Sequence, residues 1–538
     1  MSQRVILKKG VPTRAEVLVV AAKAPASYGA GASRRRRASQ DLPRLLGEAP
    51  EYVAASLAVA EYEAERFDIL SIPGRDESES AYTLVVGLGA DNSPLTAEDL
   101  RRLGGVVAMH AERLGAEQVA MLFAEELREL DGSVEALEAF TEGFLLGAYR
   151  YSLRTNAHGT TSLRTLDVWL AEGANAASRA AVQRAQDTAE GVALARDLVN
   201  APPNYCTPVT LEETAKQLAE ASGKRGGSGA KKSKGGSKKK SSGSAESALA
   251  ARVLQKAELE RLGFGGLLAV NQGADIPARL ICLEYSPGAK RVPTVCFVGK
   301  GITFDTGGYS LKPSDGQVGM KADMAGAAAV LGLMNAVGRI KPKLRVVGLV
   351  PATQNFINGS AYTVDDVLTM YSGKTVEVGN TDAEGRLILA DALSYACQSY
   401  TPDYMFDFAT LTGACTIALG KGICAALLTR DDEVASFVEH AGRESGERVW
   451  RLPLWDEYRE LLRSKVADIR NTGGRPGGTI SAAKFLEEFV TRKETRWAHV
   501  DMASMAMMPN DQPHGPQGAT GFGVRLGLAI LREIEARK

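Results

Sequence analysis

From about residue 250 onward, short apolar runs alternate with helix-length stretches, and this alternation limits the fold more than any other feature of the chain. The runs at 280–285, 294–298, 344–350, 404–408, 425–429 and 497–502 are strand-length and nearly all apolar. The stretches at 322–337, 386–399, 455–464 and 481–491 read as helices. Strands apolar on both sides need cover on both sides, and strands separated by helices pair in parallel through crossovers. The expected class is therefore α/β, with a largely parallel sheet between two helical layers. The earlier part of the chain shows the same logic on a smaller scale: strands at 15–22 and 82–88, helices at 98–113 and 133–149. With 538 residues the chain exceeds one ordinary domain. We place the boundary near 180, giving domains 1–180 and 181–538. A helix at 179–198 leads into the second and is stopped by Asn200-Ala201-Pro202-Pro203-Asn204.

Residues 221–245 are almost entirely Gly, Ser, Lys and Ala. Such a segment buries too little apolar surface to offset the entropy of ordering, and is expected to be a disordered, solvated insertion. It also distorts the charge balance. The chain carries 64 basic and 64 acidic residues, but seven Lys and one Arg lie within 224–240; setting them aside leaves 56 basic against 64 acidic. A mildly acidic body argues against nucleic-acid binding. The run Arg34–Arg37 sits in a Gly/Ala/Ser-rich stretch and reads as a solvated loop. Six cysteines without a CxxC pair fit buried free thiols in a reducing compartment. No apolar run reaches the roughly 20 residues a membrane span needs, and the N-terminus lacks a signal-peptide core. The expectation is a cytoplasmic protein with no membrane association. Only five histidines occur and no HExxH, so any metal ligands must be mainly carboxylates.

Five features fall at strand ends or helix starts of the second domain, where sites in parallel α/β sheets form. In Val298-Gly299-Lys300-Gly301-Ile302-Thr303-Phe304-Asp305-Thr306-Gly307-Gly308, glycines let the backbone wrap a small object that both Lys300 and Asp305 can face. A phosphate-binding loop is the other reading, but the P-loop order is missing. Lys312, just past the double glycine, is by default a surface lysine. Asp323, in Gly319-Met320-Lys321-Ala322-Asp323-Met324, opens a small-residue helix and reads equally as an acid favoured by the helix dipole. Asn380-Thr381-Asp382-Ala383-Glu384-Gly385-Arg386-Leu387 puts two acids and a guanidinium within five residues. Acids so close repel unless a cation separates them, and Asp-x-Glu aims both to one side where the backbone is extended. Arg386 can grip a planar anion. Ala409-Thr410-Leu411-Thr412-Gly413 reads by itself as an ordinary strand-end turn, with backbone groups that could also hydrogen-bond a peptide. Together these supply four carboxylates, two lysines and one arginine. Oxygen ligands plus one amine suit Zn²⁺, Mn²⁺ or Co²⁺, and four carboxylates suit a bridged pair of ions.

All five features, in this order and spacing, resemble the leucyl aminopeptidase family. Asn471-Thr472-Gly473-Gly474-Arg475-Pro476-Gly477-Gly478 and Gly518-Ala519-Thr520-Gly521-Phe522-Gly523 resemble its C-terminal pattern, while the Lys-rich insertion matches nothing in it. The resemblance implies a macro-domain-like N-terminal domain, a catalytic domain with a mixed sheet, and a homohexamer acting on peptides. It also implies that Asp305 and Glu384 bridge two metals, that Lys300 and Asp323 complete the tighter site, and that Asp382 completes the looser one. Lys312 would stabilise the tetrahedral intermediate formed by metal-bridged hydroxide, and Arg386 would hold bicarbonate as the base. Met320, Thr410, Leu411, Gly413 and Ala503, with Ala506 beside them, would line an apolar pocket that prefers leucine. Two other readings stand against this one: a non-catalytic nucleic-acid-binding or scaffold hexamer, which the basic insertion favours, and another metal hydrolase such as a phosphatase.

Overall fold

A computed structural model of the protein describes residues 3–9, 15–24, 53, 56–57, 60, 62–74, 80–90, 95–122, 133–153, 161–170, 172–226, 249–289 and 291–537. The Arg34–Arg37 run and most of the Lys-rich segment lie outside them. The chain separates into two compact units, residues 1–189 with 510–517, and 190–509 with 518–538.

The first unit is built on six strands: β1 (Arg4–Lys9), β2 (Val17–Ala24), β3 (Ile69–Pro73), β4 (Tyr82–Ala90), β5 (Gln118–Leu122) and β6 (Thr165–Leu170). Their order is β1-β6-β5-β2-β4-β3, parallel except where β3 meets β4. The helices Ala97–Arg113 and Ser133–Gly147 pack so closely that a Cβ on Gly143 would fall 1.8 Å from the Arg101 carbonyl oxygen. The first of them starts with a reciprocal cap between Thr96 and Asp99, the arrangement that satisfies two otherwise unpaired N–H groups. Residues 510–517, remote in sequence, belong to this unit. The Pro513 carbonyl oxygen lies 1.9 Å from where a Gly105 Cβ would be, and His514 Nε2 meets Glu98 Oε1 at 2.6 Å.

The second unit holds β7 (Leu249–Gln255), β8 (Arg279–Tyr285), β9 (Thr294–Gly299), β10 (Gly301–Asp305), β11 (Arg345–Asn355), β12 (Val367–Thr369), β13 (Thr375–Glu377), β14 (Tyr404–Ala409), β15 (Ala425–Leu428), β16 (Val449–Arg451), β17 (Ile469–Arg470) and β18 (Arg496–Asp501). Nine of these form one mixed sheet in the order β16-β15-β18-β14-β9-β11-β8-β7, with β10 pairing onto β11. Its centre, β18-β14-β9-β11, is parallel; β15, β8 and β7 join antiparallel. On one face Cys296, Val298, Val347 and Leu349 pack with Leu387, Ile388, Ala392 and Phe485 from the helices Glu384–Tyr400 and Gly478–Glu487. On the other face the helix Ala325–Ile340 lies very close, because Gly348 leaves room for Val330 and Met334 and Gly326 sits where any Cβ would strike the Phe408 carbonyl oxygen. The α/β expectation therefore holds, with helices on both faces. The six cysteines are free, and five are buried. Among the described residues, no helix is long and apolar enough to cross a membrane.

Three expectations need correction. The stretch at 455–464 is a 3-10 helix, Asp456–Leu462, in which only Leu462 is buried. Without an apolar stripe facing the core, little holds it in regular α-helical form. The helix Pro208–Gly226 carries the first residues of the Lys-rich segment, so 221–226 are ordered. Finally, Asp382 sits in a turn and Ala383 has φ −111° and ψ 42°, so the Asp-x-Glu backbone is not extended. Glu384 is instead the first residue of its helix.

Candidate metal and peptide site

The strand β9 ends where Gly299, Lys300 and Gly301 hand the chain from one pairing to another: the Lys300 N–H donates to the Phe408 carbonyl, while β10 continues beside β11. This break turns the Lys300 side chain under the start of the helix Glu384–Tyr400. The space exists because residue 385 is glycine; a Cβ there would lie 2.3 Å from Lys300 Cε. Lys300 Nζ then meets Asp323 Oδ1 at 2.8 Å, Glu384 Oε1 at 2.9 Å and the Thr410 carbonyl at 3.1 Å. Asp323 lies between the 3-10 turn Met320–Ala322 and the helix Ala325–Ile340.

Asp305 closes β10. Its Oδ1 accepts from Gly307 N and Asn355 Nδ2, both at 2.8 Å, and its Oδ2 meets Lys312 Nζ at 2.9 Å. Lys312 also pairs with Asp382. The loop that brings Lys312 here depends on Gly307 and Gly308, at φ +88° and +62°, the region glycine enters without strain. Thr381 staples it to the acidic octet, its hydroxyl donating to the Gly307 carbonyl and accepting from Ser310 N. One oxygen each from Asp305, Asp382 and Glu384 falls within 4.8 Å of the other two.

Burial pushes the Glu384 carboxyl up to about 8, with Asp305 adding to the effect against the pull of Lys300. Burial likewise lifts Asp323 to about 6 despite Lys300, and raises Asp382 with help from Asp305. Burial alone would lower Lys300 and Lys312, but the surrounding acids outweigh it and hold both ammonium groups above their ordinary value. The cluster thus carries more negative charge than its two ammoniums compensate. Two of its buried oxygens, Asp323 Oδ2 and Glu384 Oε2, have no hydrogen-bond donor. Uncompensated, desolvated carboxylate oxygens around a common point are the donor set a divalent cation needs. The residues present therefore fit a metal.

Arg386 is buried two residues further along the helix, and burial lowers its pKa to about 10. Its Nη1 donates to the Asn471 carbonyl at 2.7 Å, and its Nε has no acceptor. Of the expected pocket residues, Thr410 touches the cluster twice, through its carbonyl to Lys300 and its hydroxyl to Asp323 Oδ1 at 2.8 Å. Leu411 and Ala503 are joined at a shared acceptor, Asp501 Oδ1. Met320 and Ala503 are half-buried, Ala506 is buried, and Gly413 opens the helix Gly413–Leu419 in an exposed position. Reading the sequence names Asn471 only as the start of a motif, with no role of its own, and misses Asp501 and Asn355. Asp501 carries a usable signal, an acid ending the largely apolar run at 497–500; Asn355 carries none beyond its place at the end of a strand.

A model of the catalytic domain of the cytosol aminopeptidase family matches residues 193–528, and a model of that family's N-terminal domain matches residues 36–154. The chain is 40% identical over 504 residues to a probable cytosol aminopeptidase of Chlorobium phaeobacteroides, covering 90% of this chain and 93% of the relative. It is 43% identical over 452 residues to one from a Geobacter species, covering 84% and 85%. Among solved structures, a mutant of tomato leucine aminopeptidase superposes with a TM-score of 0.81 at 29% identity, covering 99% of this chain and 97% of that one. The bottromycin maturation enzyme BotP in complex with Mn gives 0.77 at 33% identity, covering 97% and 99%. With both domain models matched and its acids, lysines and arginine gathered at one strand-end site, the chain belongs to the cytosol aminopeptidase family of peptide hydrolases.

Proposed function

We propose that this peptidase is a two-metal aminopeptidase that removes N-terminal residues, apolar ones and leucine foremost. The observation that carries the reading is the approach of Asp305, Asp382 and Glu384 to within 4.8 Å, with Lys300 and Asp323 directly behind them. In this reading Asp305 and Glu384 would contribute to both ions, Lys300 and Asp323 to one, and Asp382 to the other. The ions are Zn²⁺ or Mn²⁺, with Co²⁺ as a further fit to the same donors. Once bound they supply Lewis acidity and an activated water at neutral pH. Lys300 serves as a ligand only as the free amine, so loading removes its proton. With Asp305 and Asp382 engaged by the ions, Lys312 would be left as the ammonium that faces charge growing on the scissile carbonyl oxygen. Arg386 would hold a bicarbonate through its unpaired Nε, a base placed to take the proton of the attacking water and return it to the leaving amine. Met320, Thr410, Leu411, Gly413 and Ala503 form the apolar wall behind the side chain. Assembly as a hexamer in the cytosol accompanies this reading.

The test is hydrolysis of leucyl anilide substrates after loading with Mn²⁺ or Zn²⁺, beside a panel of phosphate esters. The double variant Asp382→Ala with Glu384→Ala should keep its far-ultraviolet circular dichroism while losing ion binding. Its activity should fall by on the order of 10³-fold, the several kcal/mol a metal contributes to the transition state. A well-folded protein that cleaves no leucyl substrate under any metal ends the proposal.

A further inference from the structure

Asp501 is fully buried at the end of β18 and stands outside the proposed ligand set. Its carboxylate joins two strand-end loops. Oδ1 accepts from Leu411 N at 3.1 Å and Ala503 N at 3.2 Å; Oδ2 accepts from the Thr412 hydroxyl at 2.6 Å. Leu411 and Thr412 follow Thr410, the residue that holds Lys300 by its carbonyl and Asp323 by its hydroxyl. Both Lys300 Nζ and the Thr410 hydroxyl occupy the same oxygen of Asp323, Oδ1, and so leave Oδ2 as the buried oxygen without a donor. Which oxygen of Asp323 is available to a cation therefore depends on where the 410–412 backbone is pinned.

The pin is itself braced. Two residues upstream on the same strand, His499 Nδ1 lies 2.5 Å from Asp407 Oδ1, and Asp407 Oδ2 accepts from Trp497 Nε1 at 2.7 Å. Asp407 pairs with His499, and Ala409 with Asp501, in the β14–β18 register, so the four alternate onto one sheet face. Asp501 also bears electrostatically on Arg386, as do Glu384 and Asp382.

We infer that Asp501 is a positioning residue for the metal site: by fixing Leu411, Thr412 and Ala503 it holds Thr410 so that Asp323 presents Oδ2 and Lys300 is directed toward the acids. The inference rests on the reading of Lys300 and Asp323 as ligands. It is tested with full-length protein by titrating Mn²⁺ calorimetrically into metal-free enzyme and by separating kcat from KM on a leucyl anilide. Asp501→Ala should weaken Mn²⁺ binding and lower kcat, each by roughly 10–100-fold as for outer-shell partners of metal ligands, with KM changed less than either. Asp501→Asn keeps the acceptor for the two backbone N–H groups and should recover most of the Mn²⁺ affinity. Folded Asp501→Ala with wild-type Mn²⁺ affinity and kcat overturns the inference, whatever its melting temperature. Should Asp501→Ala not fold, Thr412→Val decides: it removes the hydroxyl arm of the tie, and unchanged Mn²⁺ affinity there is equally fatal. Failure of the wild type itself to bind Mn²⁺ would instead remove the ligand reading on which this one stands.

Discussion

In the first unit the Arg101 guanidinium is buried between two acids, its Nε 2.8 Å from Glu142 and its Nη1 2.7 Å from Glu98, and Glu98 is shared further with Arg102 and His514. In the second unit Lys300 is buried and Lys312 half-buried among Asp305, Asp323, Asp382 and Glu384, two of whose oxygens have no donor. The two clusters use similar groups at similar depth. They differ in closure. Around Arg101 the charges are matched within the chain; around Lys300 the acids outnumber the cations and their carboxyls are pushed upward. A matched cluster is a structural ion pair, whereas an unmatched one is an appetite for added positive charge.

The comparison breaks most visibly at Arg101. Arg101→Met removes the buried cation that pairs with Glu142 and Glu98 and should lower unfolding stability by about 3–5 kcal/mol. Urea unfolding followed by circular dichroism would report this, while the kcat/KM of the folded enzyme stays near wild type. If stability is unmoved, the first cluster is not the closed network described. Next in size is Gly385→Ala, which puts a methyl 2.3 Å from Lys300 Cε and 2.6 Å from its Nζ. It should displace Lys300 and weaken Mn²⁺ binding by roughly 10–100-fold, read by calorimetry, with little change in melting temperature. A wild-type titration curve would mean that Lys300 is dispensable to the cluster.

The smallest effect concerns a third kind of buried acid. Asp391 has no cation partner among the described residues; it accepts from the N–H groups of Leu267 and Tyr371 at 2.9 and 2.8 Å, with the Gly266 N–H as a further backbone donor. Burial pushes its carboxyl up to about 7, and the backbone donors offset this only in part. The folded protein therefore binds this proton more tightly than the unfolded chain. Its contribution to stability is present below about pH 4 and is lost as pH rises through about 7. Asp391→Asn should flatten that decline across pH 4–8 in metal-loaded protein, while costing on the order of 1 kcal/mol at low pH because an amide donor now faces backbone N–H groups. Parallel pH profiles of the urea midpoint would show Asp391 to be a poor example if the slope survives.

What could be read from the chain follows the same divide between local and non-local causes. The six predicted strands of the second unit are legible because each is a strand-length run of nearly all apolar residues. The direction in which β7, β8 and β15 pair was not, since strand polarity in a sheet leaves no mark on a strand's own sequence. Strand β10 was hidden as well, being a five-residue continuation of β9 across a glycine step. At the site, the residue types and their grouping near strand ends by themselves point to a cation. Their convergence rested on contacts at sequence distances from 23 to 110 residues, such as Lys300 with Asp323 and with Thr410, which no local pattern specifies. Asp501 was overlooked because its importance comes from the loops it ties and not from its neighbours in the chain.

The excursion at 510–517 has a practical consequence for anyone wishing to express the halves separately. A fragment ending near residue 189 would lack eight residues of its own fold. It would lay bare the tightly approached backbone at Gly105 and leave Glu98 without its imidazole neighbour. Cutting this polypeptide at that point leaves the N-terminal piece incomplete and the C-terminal piece carrying eight residues that belong to the other unit, and a soluble N-terminal fragment calls for a linker that grafts the missing octapeptide back on.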